Sequence, residues 1–294
     1  MIARWRPRPA IARRSGATFR RADFRRLLAT YRPSPFEVFG DDDSRFTRPS
    51  HHALKSRDRL FVALASGLRQ LADAEDTIAD LGPYPGSLLR LLRTVRPRAR
   101  LIGAGLMATP EFVRFMREDA AAEIVAVNFD PANAEFRAKG YPERAPVADG
   151  TVDLAFALEI VEHLTAPYHL IGEAFRLLAP GGHLVLTTPN VTRIGNVFKL
   201  LVGRSPNDRL APPGYHDPDD EWRPHAREYA MAEMVEVFTR AGFVVAERRF
   251  FVDDDTRDCV RAPRQRLVDL AKVPFHALPH LRGSLLLVGR KPAR

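Results

Sequence analysis

At 294 residues with 45% hydrophobic content, the chain holds enough material for one large α/β domain with extensions, and too little for two full domains. A lone Cys259 excludes an intramolecular disulfide and a cysteine-based zinc site, and no apolar run approaches the ~20 residues needed to cross a bilayer. The net charge of +9 comes from one place: residues 1–33 carry ten Arg against Asp23 alone, and the rest of the chain is balanced.

Residues 1–33 read as a basic, largely disordered arm. Within it, FRRADFRRLLATY (19–31) can form a short helix that ends before Pro33. Such an arm suits contact with an anionic surface (membrane, RNA or acidic glycan) and also resembles an organellar transit peptide; a solvated extension is the plainer reading. It lacks the apolar core of a secretory signal, so a cytoplasmic protein is expected. Residues 34–75 hold a linker marked by Pro35 and the acidic run at 41–43, then a helix from about Ser56 to Ala72 with Leu60, Val62, Leu64, Leu68 and Leu71 on its apolar side.

From residue 76 to 294 strands and helices alternate, which predicts a mostly parallel sheet with helices on both faces. Strands are expected at Thr77–Leu81, Arg100–Gly103, Glu123–Phe129, Val152–Leu158, His183–Thr187, Phe243–Phe251 and Ser284–Arg290, the last two as an antiparallel pair. Thr109, Pro110 and Glu111 supply an N-cap, a first-turn proline and a first-turn acid for one helix. A helix over about Pro167–Leu178 buries Leu170, Ile171, Ala174, Leu177 and Leu178. Another runs from Ala230 to Ala241 and stops at Gly242. Residues 191–228 interrupt the alternation with an apolar helix and a Pro-rich, aromatic loop, the pattern of a lid.

Two motifs stand out. TIADLGPYPG (77–86) is a short buried strand ending on Asp80, then a loop with Gly82 and Gly86, then a helix from Ser87. Such a loop lets a ligand lie on bare backbone at a helix N-terminus. A carboxylate at the strand end suits an amine or hydroxyl, not a phosphate. PGGHLVLTTPN (180–190) is a Pro-Gly-Gly break before a second buried strand.

Together, in this order and spacing, these motifs resemble motif I and the late motif of the class I S-adenosylmethionine-dependent methyltransferases of the ubiquinone-biosynthesis-like type. The resemblance implies a Rossmann-like seven-stranded sheet with an antiparallel last strand, and S-adenosylmethionine as cofactor. It places Asp80 at the methionine amine, Gly82 and Gly86 under the ligand, and Tyr84 where the family's middle glycine falls. Gly105 stands where the family ends strand two on an acid that holds the ribose hydroxyls. Asp130, closing strand three, would lie on the adenine side; an Asp-Pro turn is the rival reading.

Glu159, Glu162 and His163 form an E-x-x-E-H group that shares a face if a helix begins there. Glu159 would face the sulfonium or the acceptor, and His163 would serve as general base, since an imidazole pKa of ~6.5 suits that role. The same pattern is a divalent-metal site in the ubiquinone-biosynthesis O-methyltransferases, with His225 as a candidate further ligand; the metal-free reading is preferred here. Asn190, Tyr215, Trp222, His225 and Arg227 would line the acceptor side. The expected function is methyl transfer to an oxygen of a small-molecule, glycan or lipid-linked acceptor. The alternatives are an RNA methyltransferase using the Arg-rich arm, and a non-catalytic scaffold of the same fold.

Overall fold

The computed structural model describes residues 18–37, 57–71, 75–207, 225–253, 267 and 270–293. One sheet holds seven strands: β1 Thr77–Leu81, β2 Arg100–Gly105, β3 Ala122–Ala126, β4 Val152–Leu158, β5 Leu178–Pro189, β6 Val244–Phe251 and β7 Ser284–Arg290. Their order is β3-β2-β1-β4-β5-β7-β6. β1 to β5 pair in parallel, and β7 runs antiparallel between β5 and β6. The order reverses between β1 and β4, and in open α/β sheets the crevice beyond the strand ends at such a point binds ligand.

The helices are α1 Arg21–Thr30, α2 Arg57–Leu68, α3 Ser87–Val95, α4 Pro110–Ala120, α5 Ala134–Ala138, α6 Tyr168–Leu177, α7 Ile194–Leu201 and α8 Met231–Arg240. Helices on both faces explain why β1 and β4 read as continuous apolar runs. α4 starts where its caps predict, with Thr109 Oγ1 accepting from the Phe112 amide at 3.3 Å and Pro110 in the first turn. α8 ends at Gly242, whose φ of +95° favours glycine. Asp153, inside β4, is structural: its carboxylate accepts from the Thr77 amide at 2.8 Å and anchors the start of β1.

Three local expectations are revised. β3 is shorter than EIVAVNF, because the chain leaves the sheet after Ala126. β5 begins at Leu178 directly after α6, so Pro180-Gly181-Gly182 lies inside the strand. A Cβ on Gly182 would sit 2.9 Å from the Ala179 carbonyl oxygen and 3.1 Å from that of Asp153, so backbone packs on backbone there. Residues 161–163 form a single 3-10 turn, so the condition for Glu159, Glu162 and His163 to share a helical face is not met.

The second half of the arm belongs to the domain, which corrects the reading of residues 1–33 as largely disordered. α1 buries Phe24 and Leu27, with Phe24 packed on Phe61 of α2 at 5.7 Å between ring centroids, and Arg21 pairs with Asp58 at 2.6 Å. The arginines hide an apolar stripe of Phe24, Leu27, Leu28 and Tyr31 at helical spacing. Residues 1–17 lie outside the described residues. Among the described residues no helix is long and apolar enough to cross a membrane.

Candidate active site

The glycine loop after β1 is built on close backbone contact. Gly82 and Gly86 have φ of +98° and +96°, values that L side chains rarely adopt. The Gly82 amide donates to the Ala104 carbonyl at 2.8 Å, and the Gly86 amide to that of Pro83 at 2.6 Å. The loop therefore folds over the end of β2. Pro83 rests on two glycines of that strand: a Cβ would meet the proline ring at 2.8 Å from Gly103 and at 3.1 Å from Gly105. Gly105 is where the strand-two acid was missed in the sequence, and the seating of Pro83 is the physical reason for a glycine there.

Tyr84, expected at the cofactor, is packed among aromatic side chains. Its ring packs on Phe112 at 5.2 Å and Phe36 at 6.2 Å. The residue after Gly86, Ser87, donates to the buried Glu37 carboxylate, which also accepts from Tyr31 Oη at 2.5 Å, the Ser34 amide at 2.6 Å and Arg90 Nη1 at 2.8 Å. The segment before α2 thus fixes the helix that follows the glycine loop. Burial and the adjoining Glu37 carboxylate push the Tyr31 phenol up.

Asp80 lies at the end of β1, 3% exposed. Burial pushes its carboxyl up to about 7, and no neighbouring cation is among the causes. A buried carboxylate of this kind asks for a cationic or hydrogen-bonding partner from outside the chain. Together with the open backbone at Gly82 and Gly86, this fits the amine end of a methionine-like ligand.

Asp130 and Asn190, expected to contact cofactor and acceptor, are held by the protein. One Asp130 oxygen accepts from the Thr165 amide at 2.7 Å and from its hydroxyl at 2.8 Å, tying the loops after β3 and β4. The Asn190 amide donates to the carbonyls of His280 and Arg282, both at 2.8 Å. Arg227 pairs with Glu233 and lies over the Tyr229 ring, on the exposed side. Tyr215 and Trp222 lie outside the described residues.

The E-x-x-E-H group divides. Glu159, at the end of β4, has φ of +53°, a conformation uncommon for a non-glycine residue and a mark of functional sites. Its carboxylate meets Arg59 Nε of α2 at 3.2 Å, and Arg59 Nη2 reaches Asp253 beyond β6 at 2.5 Å. Burial raises the Glu159 carboxyl, Arg59 opposes this, and Glu162 and Asp253 add to it.

Glu162 and His163 go elsewhere, because the 3-10 turn does not keep the helical offset. Glu162 is fully buried; one oxygen accepts from Thr188 Oγ1 at 3.0 Å and the other has no hydrogen-bond partner. That second oxygen lies 4.0 Å from His163 Nε2. The His163 and His225 rings meet edge to face at 4.9 Å. His225 is brought in by the backbone: the amides of Ala226 and Arg227 donate to the Glu162 carbonyl at 2.7 and 3.1 Å. One ligand-type atom each from Glu162, His163 and His225 lies within 4.8 Å of the others, and Glu159 is not among them.

Behind His225 stands Glu228, which sequence reasoning missed although it sits in HAREY. His225 Nδ1 faces Glu228 Oε1 at 3.3 Å, and Arg193 and Asn196 hold the other oxygen. Burial acts to raise the Glu228 carboxyl, but these bonds outweigh it and hold it at about 2. A carboxylate on one ring nitrogen fixes the tautomer and aims the other nitrogen. Arg59 and Glu37 were also missed; both sit in stretches that carry no motif.

A family model described as a methyltransferase domain matches residues 55–248. A ubiquinone biosynthesis O-methyltransferase of Caulobacter sp. strain K31 is 28% identical over 207 residues, covering 69% of this chain and 73% of that one. One from Acinetobacter baylyi is 30% identical over 177 residues, 60% of this chain and 67% of that one. The chain spans 46% of a Mycolicibacterium smegmatis relative named for S-adenosylmethionine-dependent methyl transfer and 63% of a malonyl-[acyl-carrier protein] O-methyltransferase of Pectobacterium atrosepticum. Among solved structures, the methyltransferase in complex with the Haloferax volcanii Trm112 activator superposes with a TM-score of 0.52 at 23% identity, covering 80% of this chain and 92% of that one. The chain belongs to the methyltransferase domain family, within the class I S-adenosylmethionine-dependent methyltransferases, and its cofactor is S-adenosylmethionine.

Proposed function

We propose that this chain transfers a methyl group to an oxygen of a small-molecule, glycan or lipid-linked acceptor. The observation that carries the reading is the Glu162–His163–His225 cluster beyond the ends of β4 and β5, where an imidazole can take a hydroxyl proton. The O-methyltransferase names of several relatives support oxygen as the nucleophile.

When bound, S-adenosylmethionine supplies a methyl group on a cationic sulfur. Asp80 would hold its amine, and Gly82 and Gly86 would let the backbone approach. The Arg59 contact steers Glu159 toward α2, where it would shape the cleft wall. His163 is the base, oriented by Glu162 on one side and the His225 ring on the other. Catalysis is then chiefly positioning of the acceptor oxygen, with proton removal added.

A second reading is favoured by the same cluster. Glu162, His163 and His225 would hold a divalent cation, with Glu228 behind His225 fixing its tautomer. A cation there would lower the pKa of an acceptor hydroxyl. Calorimetry with S-adenosylmethionine and its demethylated product tests the core of the proposal. No binding at high ligand concentration would leave a non-catalytic scaffold of the same fold.

A further inference from the structure

Two segments far apart in sequence meet beside the C-terminal end of β5. α7 runs into Val202, and two 3-10 turns, Val273–Ala277 and Pro279–Leu281, precede β7. The Phe198 and Phe275 rings pack edge to face at 5.7 Å. Asn190 and Thr192 both donate to the His280 carbonyl, which fixes the turns to the end of β5. Around this joint apolar side chains face water: Leu200, Leu201 (74% exposed) and Val202 (69%) on one side, Leu270, Val273 (56%) and Leu278 on the other. Eight of the twelve large apolar side chains exposed among the described residues lie on these two segments, so this is a patch and not scatter.

Basic side chains predominate on the two segments, with Asp208 and Asp269 adjoining them in sequence. The stretches 194–207 and 270–283 contain Lys199, Arg204, Lys272 and Arg282 and no Asp or Glu. We propose that this face docks on the surface of an anionic lipid bilayer. Aliphatic side chains bordered by lysine and arginine match acyl chains beneath anionic headgroups. A second copy in two-fold contact would set these cations against themselves. A single-stranded nucleic acid needs open aromatic faces, whereas Phe198 and Phe275 pack on each other and the outward side chains are aliphatic.

Docking would bring the acceptor side of the site to the membrane and make a lipid-linked molecule the favoured acceptor class. That last step rests on the proposed function; the docking does not.

The test is co-sedimentation of the full chain with vesicles of equimolar phosphatidylglycerol and phosphatidylcholine, and with phosphatidylcholine alone. The expected result is binding to the mixed vesicles, weakened by about tenfold or more in the double variant Leu201→Glu, Val273→Glu. The variant should keep its Tm and its affinity for the demethylated cofactor, which no step of vesicle binding involves. Failure of the wild type to bind would overturn the proposal. So would equal binding by the variant, because the Arg-rich arm would then carry it. A concentration-dependent dimer in sedimentation velocity that the variant abolishes would identify a second copy as the occupant and overturn it. Binding of a labelled RNA oligonucleotide that the variant loses, with vesicle binding intact, would do the same.

Discussion

Ser87, the first residue of the helix after the glycine loop, donates its hydroxyl to the carboxylate of Glu37, fifty residues earlier in the chain. The same carboxylate takes Tyr31 and Arg90, so one buried acid fastens the N-terminal segment to the cofactor loop. Glu37→Ala would leave Arg90, Tyr31 and Ser87 facing an uncompensated hole, a change that costs on the order of 3 kcal/mol. The expected outcome is a clearly lower Tm and weaker cofactor binding in the protein that remains folded. A chain starting at Ser34, which also loses the burial of Phe24 and Leu27, should be destabilised by about 3 kcal/mol or more. One starting at Thr18 should melt as the full chain does. Thermal unfolding of the three proteins decides; equal melting of the Ser34 chain and the full chain would remove α1 from the fold's energetics.

Asp80 gives cofactor binding a pH dependence. In the ligand-free protein its carboxyl is held up at about 7 by burial, well above the unfolded value. Between the unfolded and folded pKa values the native state holds a proton that the unfolded chain has lost. That contribution to stability is therefore present at low pH and declines as pH rises toward 7. Binding runs the other way, because the methionine ammonium needs the carboxylate. Affinity for S-adenosylmethionine should rise between pH 5 and 7 (a range of about two units below the shifted pKa), by up to about tenfold per unit. In Asp80→Asn the affinity should drop by about 1.5–3 kcal/mol and the pH slope should vanish. Calorimetry across that range checks both; an unchanged slope in the variant would assign it to another group.

Gly105 invites an obvious repair, since an acid at that position would supply the ribose contact the family uses. The structure predicts that the repair fails. A Cβ at residue 105 would meet Pro83 Cδ at 3.1 Å and Gly82 Cα at 3.5 Å, so a carboxylate would displace the glycine loop. Gly105→Asp should bind the cofactor more weakly than wild type, with a Tm lower by a few degrees for a loss of about 1 kcal/mol or more. Tighter binding by the variant would show that the loop can yield and that the ribose site is simply unfilled.

The sheet was legible because its strands alternate with helices and are buried on both faces, which leaves continuous apolar runs such as LAFAL. The glycine loop was legible for the same local reason: φ values near +95° need glycine. What the sequence hid was set by tertiary contact. Tyr84 looked like a ligand residue from its place in the motif, but Phe36 and Phe112 come from segments no local pattern links to it. Asn190 looked like an acceptor contact, and the carbonyls that occupy it lie about ninety residues on. The E-x-x-E-H spacing assumed an α-helix; a 3-10 turn and a left-handed Glu159 send the first acid to Arg59 and leave the other two residues with His225. α1 was legible as a helix but not as part of the core, because its arginines outnumber the apolar side chains it buries.

His163 is where base and metal readings part. His163→Ala should lower turnover by about 100-fold or more, within the range that a general base contributes, and change cofactor affinity little. Both readings share that loss, so chelation has to separate them. With Glu159 drawn to Arg59 and one Glu162 oxygen held by Thr188, three ligands remain among the described residues, one of them a carboxylate with a single oxygen to give. Such a set should bind Mg²⁺ weakly. The expected outcome is activity that survives treatment with a chelator. His225→Gln should then reduce turnover modestly, since His225, itself set by Glu228, only orients His163. If chelation abolishes activity and added Mg²⁺ or Mn²⁺ restores it, and if His225→Gln is as damaging as His163→Ala, the two histidines are ligands of equal standing. Glu228, held at about 2 by its partners, would then be the group that sets the tautomer of a metal-bound imidazole.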